Sequence, residues 1–190
     1  VESFIADVYR ARFGAALDAF LPHLLAFEDE AGAVRAAVGL QCGREGPLFV
    51  EQYLDVPAEV AIAQATGRPV ARSEIVEVGN FAALRPGDAR GVILGMARRL
   101  HAAGFRWVLF TATGQLRNAF ARLHLHPVYL ADARAERLQR DATQWGRYYE
   151  THPHVMFGDL VAGAAAWAPA PQRAADPCGP SGLAFAEAVA

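Results

Sequence analysis

The sequence predicts a single α/β domain in which helices flank a mixed β-sheet. Segments with apolar residues at helical spacing alternate along the chain with short runs rich in β-branched residues, a pattern typical of layered α/β domains. Hydrophobic residues make up 53% of the 190 residues, which is enough for a substantial core. We expect the domain to cover residues 1–162. The Ala-, Pro- and Gly-rich remainder, 163–190, is predicted to be a tail because such a composition cannot build a core.

The first third of the chain predicts a helix, a hairpin and a broken helix. Apolar residues from Phe4 to Leu17 recur at helical spacing with charged residues between them, which indicates an amphipathic helix. Two apolar runs, 21–27 and 34–40, flank an acidic turn that contains a glycine, so we expect an antiparallel hairpin. The stretch 47–67 is predicted to be helical and interrupted near Pro57, because proline lacks a backbone donor.

The remaining elements alternate between strand and helix. Asp88 is the predicted N-cap of a helix whose apolar stripe includes Val92 and Met96. The predicted elements are a strand at 73–83, a helix at 88–103, a strand at 105–113, a helix at 115–123, a strand at 128–131 and a largely helical stretch at 132–149.

Charge and composition exclude several classes of function. The formal net charge is -2 and the arginines are scattered, so we expect no nucleic-acid partner, which requires a basic patch. The longest apolar stretch, 160–171, is far shorter than the ~20 residues of a spanning helix, so we expect no stable membrane insertion. Two unpaired cysteines, Cys42 and Cys178, favour a reducing, cytoplasmic location. No cysteine accompanies the paired histidines, so we expect no metal site.

A carboxylate lies within the apolar strand at 73–83. Glu77 is flanked by Val76 and Val78, and burial would raise its pKa toward the range of a useful general base. Gly79 would let a ligand approach closely, and Asn80 can both donate and accept hydrogen bonds. The alternative is that Glu77 is an edge-strand carboxylate paired with a nearby arginine such as Arg72.

The next loop combines arginines, glycine and the start of a helix. Backbone N–H groups at a helix N-terminus bind anions, and arginines add charge-assisted bonds to a phosphate. The candidate phosphate-binding residues are Arg85, Gly87, Ala89 and Arg90. The alternative is an ordinary turn with a solvated pair of arginines.

A second strand-to-helix junction follows at 110–123. Small polar residues at the end of a strand, here Thr111 and Thr113, leave room for a ligand in an open α/β sheet. Asn118 lies in the helix that follows, and these three are further candidate cofactor-binding residues. The alternative is plain helix capping by Thr113.

These elements, in this order, resemble the core of the GNAT acyltransferases. Several spaced motifs resemble more specifically the thermostable hemolysin family, which is also similar to acyl-homoserine-lactone synthases: residues 48–55 (LFVEQYLD), 75–80 (IVEVGN), 110–113 (FTAT), 116–118 (LRN) and 145–149 (WGRYY). The resemblance implies a GNAT-like mixed, splayed sheet. In that fold, the turn before the helix cradles the pyrophosphate of coenzyme A, and the pantetheine arm lies between two splayed strands.

The resemblance also implies an activity. Related synthases have a glutamate at the place of Glu77 that helps to remove a proton from an amine. We therefore expect N-acyl transfer from acyl-CoA or an acyl carrier protein to a small amine, without a permanently bound cofactor. Asn80 would orient the acceptor, and Glu51, Tyr53 and Arg117, which lie in the family motifs, would contact substrate.

Two alternatives to this activity are carried forward. Many GNAT enzymes have a tyrosine as general acid where this chain has Phe120, so the protein could be an inactive module that binds acyl thioesters. The family description also allows a membrane-active, hemolysin-like protein, although no basic amphipathic helix supports it.

Overall fold

The computed structural model describes residues 1–139 and 142–164, together with the backbone of residues 184–188. Within this part of the chain there are four α-helices and seven strands. In chain order they are α1 (Glu2–Phe13), β1 (His23–Glu28), β2 (Val34–Cys42), α2 (Ala58–Thr66), β3 (Ile75–Ala83), α3 (Pro86–Ala102), β4 (Trp107–Ala112), α4 (Gly114–Arg122), β5 (Val128–Asp132), β6 (His154–Asp159) and β7 (Ala184–Ala188).

All seven strands belong to one sheet, in the order β5-β6-β4-β3-β2-β1-β7. β3 and β4 are parallel, and the other neighbouring strands are antiparallel. The parallel pairing stops at Val78 opposite Phe110, although both strands continue beyond these residues. The predicted fold class, a GNAT-like mixed, splayed sheet flanked by helices, is confirmed.

Side chains alternate between the two faces of the sheet, as the pleat of a strand requires. Ile75, Trp107 and Leu109 face a layer formed by α2 and the 3-10 segment Phe49–Tyr53. α1 packs on the same face against Ala37 and Ala82. The opposite face carries Val76 beneath α3, and Phe110 beneath α4. The sheet is therefore the middle layer of a three-layer domain.

The predicted helix at 132–149 is wrong. The described residues of this stretch form 3-10 segments instead: Ala135–Arg137, Ala142–Trp145 and the beginning of Tyr148–Thr151. Gly146 lies between the last two with a positive φ of 53°, and Arg147 donates its N–H to the carbonyl of Phe13 at 2.8 Å. The aromatic residues have helical spacing, but contacts with α1 decide the backbone conformation.

Other features also differ from the sequence predictions: α1 ends at Phe13 rather than Leu17, and Phe49–Tyr53 is a 3-10 segment rather than α-helix. The structure adds strand β6, which pairs with both β4 and β5. Helix α3 begins at Pro86 with Arg85 as its N-cap, because proline is well suited to the first helical position. Asp88 is therefore not the N-cap, and its carboxylate accepts the backbone N–H of Arg85 at 3.1 Å.

The predicted tail contains one described strand. Residues 184–188 form β7, which pairs antiparallel with β1 at the edge of the sheet. The boundary between the domain, 1–162, and the tail, 163–190, stays a prediction. None of the helices in the described ranges has the length and apolar character needed to cross a membrane.

Candidate functional site

A cavity of about 1170 Å³ lies where β3 and β4 separate. Its walls include side chains from both faces of the sheet. Among the described residues, the edge of β3 that faces β4 has no strand partner from Gly79 onward. Gly79, Asn80 and Thr111 all line the cavity. The separation of the strands therefore opens a slot that joins two halves of the cavity. The Glu77 half lies on the face of the sheet that carries Glu77, and the α3 half lies beneath α3 and α4.

A bulge in β3 shapes one side of the slot. The register with β2 shifts between Ala37 and Gly39, so β3 has an extra residue there. Asn80 occupies this bulge with a φ of 49°, a left-handed conformation that asparagine tolerates better than most residues. Its side-chain oxygen accepts the backbone N–H of Leu21 at 2.8 Å.

The segment of residues 17–21, the Leu17–Leu21 strap, crosses β3 beside the slot. A Cβ at Gly79 would come within 2.9 Å of the side chain of Leu21, and one at Gly39 would come within 2.7 Å of Asn80. At the other end of the strap, the side chain of Gln144 donates to the carboxylate of Asp18 at 2.9 Å. All five strap residues line the cavity. Sequence reasoning missed this strap, whose only signal was the pair of strand glycines.

Glu77 is the buried carboxyl group of the site. Only 1% of its surface is exposed, and it lies on a central strand, so the edge-strand alternative is wrong. Phe49 donates its backbone N–H to Oε2 at 2.7 Å, and Val50 donates to Oε1 at 3.2 Å. Burial raises the pKa of Glu77 to about 8, although the two N–H donors act in the opposite direction. The carboxyl can therefore exchange a proton near neutral pH.

Arg72 binds other carboxylates. Its guanidinium donates to Glu51 at 2.6 and 2.8 Å and to Glu59 at 2.7 Å, and it also binds the carbonyls of Gly43 and Gly46. Burial alone would raise the pKa of Glu51, but the hydrogen bond from Arg72 and backbone donors lower it to about 2. Glu51, a predicted substrate contact, lines the cavity while holding the loop that carries the donors to Glu77.

Aromatic side chains form the wall of the Glu77 half. Tyr53 donates to or accepts from the hydroxyl of Tyr149 at 2.6 Å, and burial raises the pKa of both, that of Tyr149 to about 12. The ring centroids of Phe49 and Trp145 are 5.7 Å apart, and those of Trp145 and Tyr148 are 5.3 Å apart. Tyr53, the second predicted substrate contact, therefore lines the cavity as a neutral, hydrogen-bonded phenol.

The α3 half is apolar. Val92 and Met96 of α3 line it, as do Leu116 and Phe120 of α4. The rings of Phe120 and Phe110 lie 5.0 Å apart, so the side chain at position 120 packs on the sheet. It offers no proton to a leaving group.

The predicted phosphate-binding residues lie outside the cavity walls. Arg85, Gly87, Ala89 and Arg90 are at the start of α3, where both arginines are exposed. The carboxylate of Asp88 already accepts one backbone N–H at this helix start. The structure does not bring these four residues together with Glu77, and their role stays a prediction.

Of the residues predicted at the second strand-to-helix junction, only one lines the cavity. Thr111 lines the cavity, whereas Thr113 caps α4 by accepting the N–H of Leu116 at 3.4 Å. Arg117 donates to the carbonyls of Ala112 and His152, at 2.9 and 3.1 Å, and so ties α4 to the sheet. Thr113, Arg117 and Asn118 do not line the cavity.

The fold is shared with two solved N-acyl synthases. FeeM, an N-acyl amino acid synthase from uncultured soil microbes, superposes with a TM-score of 0.57 at 15% identity, over 87% of this chain and 91% of that chain. MesI, a CoA-dependent acyl-homoserine lactone synthase, superposes with a TM-score of 0.52 at 14% identity, over 90% and 89%. At these identities the likeness defines the class of fold.

The family follows from the sequence itself. The chain belongs to the thermostable hemolysin family, whose sequence profile matches residues 1–164. The resemblance inferred from the spaced motifs is therefore confirmed. None of the curated proteins compared with the chain matches it significantly.

Proposed function

We propose that this protein transfers an acyl group from a thioester to the amine of a small acceptor, with Glu77 as the general base. The observation that carries the proposal is the burial of Glu77 beside a slot that joins a polar, aromatic half-cavity to an apolar one. The shared fold adds support, since FeeM and MesI are N-acyl synthases.

The reaction needs one proton acceptor and one electrophile. The amine nitrogen attacks the thioester carbon, and Glu77 takes the proton from that nitrogen directly or through a water. The C–S bond then breaks, and the departing thiolate takes a proton from water, since Phe120 has none to give. Backbone N–H groups along the unpaired edge of β3 would polarise the thioester carbonyl.

The two halves of the cavity fit the two substrates. The apolar walls of the α3 half, including Val92, Met96 and Phe120, suit a medium or long acyl chain. The acceptor would occupy the Glu77 half, where the strap held by Asn80 forms part of the wall. Asn80 therefore orients the acceptor through the strap, as a positioning residue.

The donor's phosphates would bind at the start of α3. Arg85 and Arg90 are exposed there and have the charge for it, together with the backbone of Gly87 and Ala89. Because Asp88 adds a negative charge at the same place, the arginines are the main attractive groups. Thr111 would line the path of the pantetheine arm, and acyl-CoA and an acyl carrier protein are both donors of this chemistry.

Free-thiol release tests the proposal directly. The protein is incubated with acyl-CoA or an acyl-carrier-protein thioester and a panel of amines. We expect amine-dependent release that falls by about a hundredfold or more in Glu77→Gln, because general-base catalysis contributes on that scale. Glu150→Gln is the matched control, because Glu150 is exposed and does not line the cavity. Full turnover by Glu77→Gln would rule out the base.

A second candidate is an inactive module that binds acyl thioesters. Phe120, which packs on Phe110, favours an inactive module, because many GNAT enzymes have a tyrosine as general acid at the position of Phe120. This candidate predicts tight thioester binding without thiol release for any amine. The same assay, with binding measured by calorimetry, separates the two functions.

A further inference from the structure

The Glu77 half combines aromatic walls with a buried carboxylate. Phe49, Trp145 and Tyr148 form a connected group of rings, and Tyr9 stacks on Tyr148 at 6.1 Å between centroids. All four line the cavity together with Glu77. Aromatic faces and carboxylates both attract an ammonium group, and aromatic faces also bind apolar bodies.

The ionisable side chains that line this half, apart from its tyrosines, are mostly carboxyl groups. Asp18, Glu51 and Glu77 line it, and Arg68 is the single arginine among the described residues that line the whole cavity. Arg68 is exposed, unlike Glu77. The chain contains no lysine.

The guanidinium of Arg72, which is half-buried, is fully engaged. Arg72 donates to two carboxylates, Glu51 and Glu59, and to two backbone carbonyls. Arg72 is not one of the described residues that line the cavity. A carboxylate on the acceptor would therefore lie beside Glu77 without a buried cation to compensate it, which is costly in a desolvated site.

We infer that the acceptor is a primary amine on an aromatic or other apolar body that has no carboxylate. The inference rests on the proposed function and names its acceptor class. The amine would lie at Glu77 and its body against the ring group of Phe49, Trp145 and Tyr148. Amino acids would be poor acceptors, because the site offers nothing buried that would pair with their carboxylate.

Matched pairs of acceptors test the inference. Thiol release is measured with 2-phenylethylamine against phenylalanine, and with tyramine against tyrosine. We expect kcat/KM to be at least about tenfold higher for each amine than for its amino acid, which corresponds to about 1.4 kcal/mol. Equal or faster acylation of the amino acids would overturn the inference and leave the proposed function in place.

Two variants sharpen the result. Trp145→Leu should raise the KM for 2-phenylethylamine several-fold and leave the KM for the thioester unchanged. Tyr129→Leu is the control, because Tyr129 is half exposed on β5 and does not line the cavity. Arg68→Ala should leave both acceptor classes unaffected. A selective loss of amino-acid acylation in Arg68→Ala would show that a carboxylate is recognised and would overturn the inference.

Calorimetry separates the inference from the proposed function. If no amine releases thiol, the proposed function fails. The acceptor class is then tested by binding alone, with 2-phenylethylamine expected to bind at least about tenfold more tightly than phenylalanine. Equal binding of the two would overturn the inference as well.

Discussion

The backbone N–H of Phe49 donates to Oε2 of Glu77 at 2.7 Å, which joins a 3-10 segment to the central strand of the sheet. This bond and its neighbour from Val50 hold both carboxylate oxygens in a place where little water reaches. Burial raises the pKa of Glu77 to about 8, so its protonation state changes within the physiological range of pH.

The first prediction concerns the pH dependence of activity. Glu77 accepts a proton only when it is ionised, so kcat/KM should rise with pH and level off above about 8. The assay needs an acceptor amine that is itself neutral throughout the pH range, so that the enzyme alone titrates. Glu77→Gln should lose this rise, and a rise that persists in the variant would assign it to another group.

The second prediction concerns the pH dependence of stability. The pKa of Glu77 is raised from 4.5 in its ordinary state to about 8 in the folded state, so between these values the folded protein holds a proton that the unfolded chain releases. The free energy of unfolding contributed by this group is therefore present below about pH 4.5 and is lost as pH rises toward 8. In Glu77→Gln, the fall in Tm between these limits should be smaller than in the wild type. An unchanged fall would mean that Glu77 is ionised in the folded state at neutral pH.

The third prediction concerns Asn80 and the strap. Asn80→Gly keeps the left-handed backbone but removes the acceptor for the N–H of Leu21. The KM for the amine should rise several-fold while the KM for the thioester stays the same. Asn80→Asp retains an acceptor oxygen and a side chain that tolerates this conformation, so it should restore most of the affinity. If both variants bind the amine like the wild type, the strap has no part in orienting it.

The fourth prediction concerns the start of α3. Replacing both Arg85 and Arg90 by alanine should raise the KM for acyl-CoA by about thirtyfold or more, since each of the two lost charge-assisted bonds to a phosphate is worth roughly a kcal/mol or more. The KM for an acyl-pantetheine, which has no phosphate, should not change. Arg98→Ala, exposed farther along the same helix, is the control. Equal losses with both thioesters would remove the phosphate role.

The fifth prediction concerns the contact between Gly146 and α1. A Cβ at Gly146 would collide with the carbonyl oxygen of Phe13, and its φ is 53°. Gly14 has a φ of 68° but open space around it. Gly14→Ala should therefore cost only the left-handed strain, about 1–2 kcal/mol, and Gly146→Ala clearly more. Urea denaturation measures both, and equal losses would show that α1 moves aside without cost.

Patterns confined to one segment were sufficient for much of the fold. The hairpin of β1 and β2 follows from two apolar runs around an acidic turn, and the break before α2 follows from Pro57. Glu77 was identifiable as well, because a carboxylate among β-branched residues is costly unless something in the structure uses it.

Features that depend on distant contacts were not readable from the sequence. The helical spacing of Trp145, Tyr148 and Tyr149 predicted a helix. The backbone N–H of Arg147 instead donates to the carbonyl of Phe13, and the segment forms 3-10 turns. β6 has six residues, as β4 does, and it pairs with both β4 and β5, which lie earlier in the chain. The strap depends on the hydrogen bond between Leu21 and Asn80, which are 59 residues apart in the chain, so no local pattern indicates it.

The slot between β3 and β4 has a kinetic consequence for the proposed reaction. Because its walls include side chains from both faces of the sheet, the thioester and the amine of the proposed reaction would reach Glu77 by separate routes. We therefore expect a complex of the protein with both substrates, formed in either order, and no accumulation of an acyl-enzyme. A single molecule that joins an acyl-pantetheine to an amine through the slot would occupy both routes at once, and its affinity would draw on both halves of the cavity.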